Sequence, residues 1–205
     1  MKDRTLIRIA RFVSMLFSPF IVPLLAFMVV FLFSYLSVLP LSYRLLVLGM
    51  VYCFTIFLPQ FTIYLYRKIN GWTRRQLGHR ERRIVPYLLT IFSYIFCLLL
   101  MFQLNMPRYL SGIIIAALLM LIICVVINTY WKISTHMAAI GGLVGSLISF
   151  SILFFYNPVW WLCLSILFAG ILGTSRIILR QHSLSQVLAG FGVGFLCGVL
   201  GIMFL

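Results

Sequence analysis

Residues 109–131 read YLSGIIIAALLMLIICVVINTYW and contain no charged side chain. A helix needs about 20 consecutive apolar residues to cross the hydrocarbon of a bilayer. This run meets that length, with Arg108 at one end and Lys132 at the other. Similar runs extend outward in both directions. Toward the N-terminus they cover Ile84 to Leu104, Tyr43 to Tyr66 and Pro19 to Leu39; toward the C-terminus, Met137 to Tyr156, Pro158 to Leu172 and Leu184 to Leu205. Turn-forming residues separate them at Leu39-Pro40, Asn105-Met106-Pro107 and Asn157-Pro158. The expected fold is an all-α, polytopic transmembrane bundle of six to seven spans.

Composition supports a lipid solvent. Of 205 residues, 64% are hydrophobic and 9% are charged, where soluble domains carry about a quarter charged residues. The length suits a single integral membrane domain over residues 1–205. Residues 1–18 place Arg4, Arg8 and Arg11 on one helical face and predict an interfacial amphipathic lead-in to the first span. No small-residue cleavage site follows it, so the first span is expected to be retained. Pro19 and Pro23 are expected to bend its entry.

The charge is one-sided in sign and in place. Sixteen Lys and Arg face two acids, Asp3 and Glu81, for a net charge of +14. So few acids exclude paired-carboxylate hydrolysis and Mg²⁺ or two-metal sites, which need several oxygen ligands. No metal or other cofactor is expected. A basic excess on a membrane chain points to anionic lipid head groups rather than nucleic acid. Counting spans puts the N-terminus, the basic loop 67–83, Lys132, Arg176 and Arg180 on one face, with only Arg44 and Arg108 opposite. The positive-inside rule reads the rich face as cytoplasmic. The five cysteines lie in apolar runs without a Cys-x-x-Cys pair and read as small packing residues. Gly141 and Gly145, Ser165, Ala169 and Gly173, and Gly190, Gly194 and Gly198 recur at four-residue spacing and predict close helix–helix seams.

Three histidines remain to be explained. His79 lies in the basic loop and reads as solvated; His136 opens the fifth span and His182 precedes the seventh. His136 follows Lys132-Ile133-Ser134-Thr135, and His182 follows Ser175-Arg176 after five residues. Arg forks and Lys charges bind phosphate oxygens, as do N–H groups at a helix start. Phosphoryl transfer needs positioning and charge neutralisation around an in-line nucleophile. With acids scarce, one histidine could attack while the other protonates the leaving oxygen. Read from the residues alone, three possibilities stay open: phosphate chemistry, simple binding of anionic lipid, and interfacial side chains that snorkel to head groups.

These residues resemble the motifs of the type 2 phosphatidic acid phosphatase superfamily, the membrane lipid phosphatases. That family's pattern is Lys-x6-Arg-Pro, then Pro-Ser-Gly-His, then Ser-Arg-x5-His-x3-Asp. Here the third part is Ser175-Arg176-x5-His182-x3-Gln186 and the second is Ile133-Ser134-Thr135-His136. The first is represented by Arg75-x6-Arg82, or by Arg83 with Pro86 displaced. Ser18-Pro19, Arg83-Ile84-Val85-Pro86-Tyr87 and Gly141-Gly142 also resemble a short subgroup common in Bacteroidetes-type bacteria, over roughly residues 15–200. The resemblance implies a multi-pass protein of the bacterial cytoplasmic membrane that hydrolyses a lipid phosphate or pyrophosphate. It casts His182 as the nucleophile, His136 as the general acid, and Arg176 with Arg82 or Arg83 as the phosphate clamp, helped by Ser134 and Ser175. The family's site usually faces away from the cytoplasm, opposite to the vote of the charges. Lys132 lies outside the family pattern and is expected to replace a basic contact from the loop. Gln186 stands where the family has an orienting Asp, and Thr135 where it has Gly. A neutral Gln could still orient the histidine but gives its positive charge less stabilisation. The alternatives are a catalytically weak or silent protein that binds or flips anionic lipid on the same fold, and an accessory subunit docked through loop 67–83.

Overall fold

The computed structural model describes residues 2–72, 84–155 and 157–203, and among these there is no strand. In chain order the elements are α1 (Lys2–Leu16), α2 (Val22–Phe33), a 3-10 turn (Tyr35–Val38), α3 (Leu41–Tyr52), a π-helical segment (Cys53–Phe57), α4 (Leu58–Ile69), α5 (Ile84–Gln103), α6 (Arg108–Tyr130), α7 (Thr135–Phe154), α8 (Val159–Ile178) and α9 (Leu184–Met203). The chain is an all-α, multi-pass bundle. Among the described residues, six stretches are long and apolar enough to cross a membrane: Leu41–Ile69 and the helices α5 to α9.

The expected first span, Pro19 to Leu39, differs from the rest. Its helix α2 has 12 residues, a rise of about 18 Å. Pro23 in the first turn sets its start. Its end is set by Ser34, whose hydroxyl donates to Val30 O at 2.5 Å and accepts from Leu36 N at 3.2 Å. The second bond caps the 3-10 turn. Arg44 Nη1 then donates to Phe31 O at 3.2 Å and ties the end of α2 to the start of α3.

Pro59 explains the π segment. It has no N–H to give, and Leu58 N bonds back to Cys53 O across the wider turn. The Phe54 carbonyl thereby loses its helical donor, and Ser93 on α5 supplies one at 2.5 Å. An unsatisfied carbonyl in lipid would cost several kcal/mol, so this bond fixes α5 against α3–α4.

The surface is strongly apolar, and on α5 the buried face carries smaller and more polar residues than the exposed one. On α5, Phe92, Phe96 and Leu99 are 58%, 58% and 51% exposed, while Thr90, Ser93, Tyr94 and Cys97 are buried. Such a surface needs lipid around it. Cys97, Cys124 and Cys197 are buried as expected of packing residues, whereas Cys53 and Cys163 lie exposed on the outside of the bundle.

The tightest crossing joins α7 and α9. A Cβ built on Gly194 would stand 1.7 Å from Ala138 O; on Gly198, 2.3 Å from Gly142 O; on Gly141, 2.2 Å from Phe191 O. Backbone thus lies on backbone, the packing that rows of small residues permit in lipid. Gly190 faces Ser134 O, Gly194 faces Ala138 and Gly198 faces Gly142, so both helices advance together and run parallel. With α8 as the single return between them, α7 and α9 begin at the same end of the bundle.

Candidate functional site

That shared end gathers the motif residues. Helix α8 delivers Arg176 in its last turn, at 5% exposure. The chain then reverses sharply. Arg180 takes a left-handed φ of 51°, while Arg180 N bonds to Ile177 O at 2.8 Å and Gln181 N to Arg176 O at 3.2 Å. This pair of bonds is the Schellman stop, with arginine where glycine is usual. The turn places His182, 6% exposed, immediately before α9.

Ser183 and Gln186 form a capping box at the start of α9. Ser183 Oγ accepts from Gln186 N at 3.4 Å, and Gln186 Oε1 accepts from Ser183 N at 3.2 Å. The same Oε1 lies 3.2 Å from His182 Nδ1. A backbone N–H can only donate, so the amide atom facing it is the oxygen. That oxygen can only accept from the imidazole, so Nδ1 carries the proton and Nε2 presents its lone pair. The helix cap and the orientation of the histidine therefore share one atom.

The second motif joins the third through backbone. Ser134 N donates to Gln186 O at 3.4 Å, and the Ser134 carbonyl rests on Gly190, where a Cβ would come within 2.5 Å. Ser134 is the N-cap of α7 but its side chain makes no cap bond. Its hydroxyl is fully buried and has no hydrogen-bond partner among the described residues. The first N–H groups of α7 are left without that cap, and His136 projects from the same first turn.

A cavity of about 200 Å³ opens beside these groups. Thr135 and His136 of α7 and Arg176 of α8 line it, with Ser18, Pro19 and Phe20 ahead of α2, Pro86, Tyr87, Thr90 and Tyr94 of α5, and Leu121 of α6. His136 and Arg176 thus share one space. His182 and Gln186 are not among the residues lining it; they lie at the α8–α9 turn and are joined to the α7 start by the Ser134–Gln186 bond. Lys132, half-buried, sits in the connection from α6 to α7. Ser175 is placed differently from the expected clamp: its hydroxyl donates to Ile171 O at 2.8 Å, and it lines a groove between α1 and α8. Arg75, Arg82, Arg83 and His79 lie outside the described residues. Among the described residues no group of three His, Cys, Asp or Glu could hold a metal ion.

Two contributions were absent from the motif reading. Tyr87, Thr90 and Tyr94 of α5 line the cavity, with the Thr90 hydroxyl donating to Pro86 O at 2.8 Å. Their spacing of three and then four residues is a helical face legible in the sequence. Ser14 of α1 accepts from Arg176 Nη1 at 2.6 Å. Its only sequence signal is that Ala10, Ser14 and Phe17 form a row of small or apolar residues beside the arginine face.

The PAP2 superfamily model matches residues 128–204. The family resemblance is shown over that stretch, which runs from the last turn of α6 to the end of α9 and carries the second and third motifs; residues 1–127 lie outside it. No curated protein and no solved structure matches the chain.

Proposed function

We propose that this chain is a metal-independent phosphatase of the bacterial cytoplasmic membrane, acting on a lipid phosphate or pyrophosphate through a phosphohistidine at residue 182. The observation that carries the reading is the bond from His182 Nδ1 to Gln186 Oε1, which leaves the nucleophilic lone pair on Nε2.

In the first step Nε2 attacks phosphorus and the bond from phosphorus to the lipid oxygen breaks, its electron pair staying with oxygen. His136, entering as imidazolium, gives that oxygen its proton. In the second step the neutral His136 takes a proton from water as the water oxygen attacks phosphorus. The P–N bond breaks, its electrons return to Nε2, and inorganic phosphate leaves. Such chemistry rests on positioning and charge. Arg176 and the uncapped start of α7 suit the non-bridging oxygens, and the buried Ser134 hydroxyl has a donor to give. Lys132 and the loop arginines Arg75, Arg82 and Arg83 are the remaining cations proposed for the phosphate. The lipid's chains stay in the bilayer while its head group enters the cavity between the helices.

A second reading is favoured by one feature. Gln186 supplies the acceptor but no negative charge, so the imidazolium formed on phosphorylation is stabilised less than by a carboxylate. A slow or silent anionic-lipid binder or flippase would keep the same geometry. Purified protein given phosphatidate, phosphatidylglycerophosphate and undecaprenyl pyrophosphate in detergent separates the two. Phosphate release above a His182→Ala control supports the phosphatase. Retention of lipid by both proteins with equal affinity and no release supports the binder.

A further inference from the structure

Arg176 is the most deeply buried cation in the described structure, and the group that holds it comes from the far end of the chain. Its Nη1 donates to Ser14 Oγ at 2.6 Å, between residues 162 positions apart. Ser14 is 7% exposed and Arg176 5%. The contact is supported on both sides: Ala10 of α1 is 2% exposed, and Phe17, just past the end of α1, packs on Phe168 with ring centroids 4.9 Å apart. Arg4, Arg8 and Arg11 lie on the exposed side of the same helix. A guanidinium left to itself has four rotatable bonds with which to leave the cavity. A hydroxyl fixed by a packed helix removes part of that freedom and sets the direction of the fork at the cavity wall.

We propose that Ser14 is a positioning residue of the phosphate site, so that α1 is part of the binding apparatus and not only an anchor at the membrane surface. Ser14 is not among the residues lining the cavity; it acts through Arg176. This rests on the reading of Arg176 as a phosphate clamp. It implies that the N-terminal helix, which lies outside the family match, is required for affinity.

The test compares Ser14→Thr with Ser14→Val in the full-length protein. The two variants have nearly equal volume and differ in the hydroxyl, so any packing disturbance is common to both. Hydrolysis of phosphatidate in detergent and its inhibition by orthovanadate, a phosphate analogue, are measured beside the thermal midpoint. The expected result is a roughly ten- to hundredfold rise in KM and in the vanadate inhibition constant for Ser14→Val relative to Ser14→Thr, the range for a hydrogen bond to a charged group. Their thermal midpoints should agree. Equal KM and inhibition constants in the two variants would overturn the proposal, as would a parallel loss in both through a lower midpoint. If the wild type releases no phosphate from any lipid tried, the phosphatase reading fails separately. Direct vanadate binding to the same two variants then decides the role of Ser14: weaker binding by Ser14→Val upholds it, and equal binding overturns it.

Discussion

Replacing Gly194 by alanine adds one carbon at the point where α9 rests on α7. That Cβ would stand 1.7 Å from the Ala138 carbonyl oxygen and 2.5 Å from its carbon. Carbon and oxygen settle at about 3.3–3.6 Å, so the helices must separate locally by about 1.5 Å. The obstacle is backbone, and no side chain can rotate away from it. The expected loss is about 3 kcal/mol, the upper end for overpacking. The functional effect is larger in proportion, because α7 carries His136 and α9 follows His182 and carries Gln186. A misplacement of about 1 Å lowers rates on the order of a hundredfold. Gly192→Ala is the matched control: it lies on the same helix with nothing within 4 Å of its Cβ. There the better helix propensity of alanine should leave stability unchanged or raised by up to about 1 kcal/mol. Phosphate release from phosphatidate and thermal unfolding followed by circular dichroism read both effects. Wild-type stability and rate in Gly194→Ala would refute the close parallel crossing and the positioning role given to it.

Three further outcomes follow from the site. Gln186→Leu removes both the cap and the imidazole acceptor, and should lower stability by about 1 kcal/mol and kcat by about a hundredfold or more; Gln186→Asp should raise kcat above wild type, as measured by phosphate release at saturating lipid. Arg180→Gly relieves a left-handed residue and should stabilise the protein by about 1 kcal/mol, seen as a higher thermal midpoint with phosphate release retained. Dialysis against EDTA should leave phosphate release unchanged, because the chain has only Asp3 and Glu81 as carboxylate ligands.

The long spans were legible because lipid imposes both length and composition on a helix. The run from Tyr109 to Trp131 reappears as α6, Arg108–Tyr130. The first candidate span, Pro19 to Leu39, holds a helix of only 12 residues, because Ser34 ends α2 through two hydroxyl bonds that hydropathy does not register. The glycine rows were readable as seams, but not which helices they join. That Gly194 meets Ala138 depends on α8 returning the chain to the same end. In the site, spacing placed Ser175, Arg176 and His182 near one another and left the direction of each side chain unknown. Ser175 turned back onto Ile171, and Arg176 turned to the cavity. Gln186 read as a weakened Asp. Its doubled role, as cap for α9 and acceptor for His182, emerges only once Ser183 N–H is seen at the same oxygen. Ser14 could not have been found, since nothing local in either segment encodes a pairing across most of the chain.

The most direct test is to trap the covalent intermediate. Wild-type protein is mixed with phosphatidate labelled at phosphorus, quenched in alkali, where phosphohistidine survives, and digested for mass spectrometry. Label on the imidazole of His182, absent from His182→Ala and accumulating when His136 is replaced by glutamine in the presence of a good leaving group, is the predicted result. Sustained turnover with no label at residue 182, or with undiminished rate in His182→Ala, would contradict it.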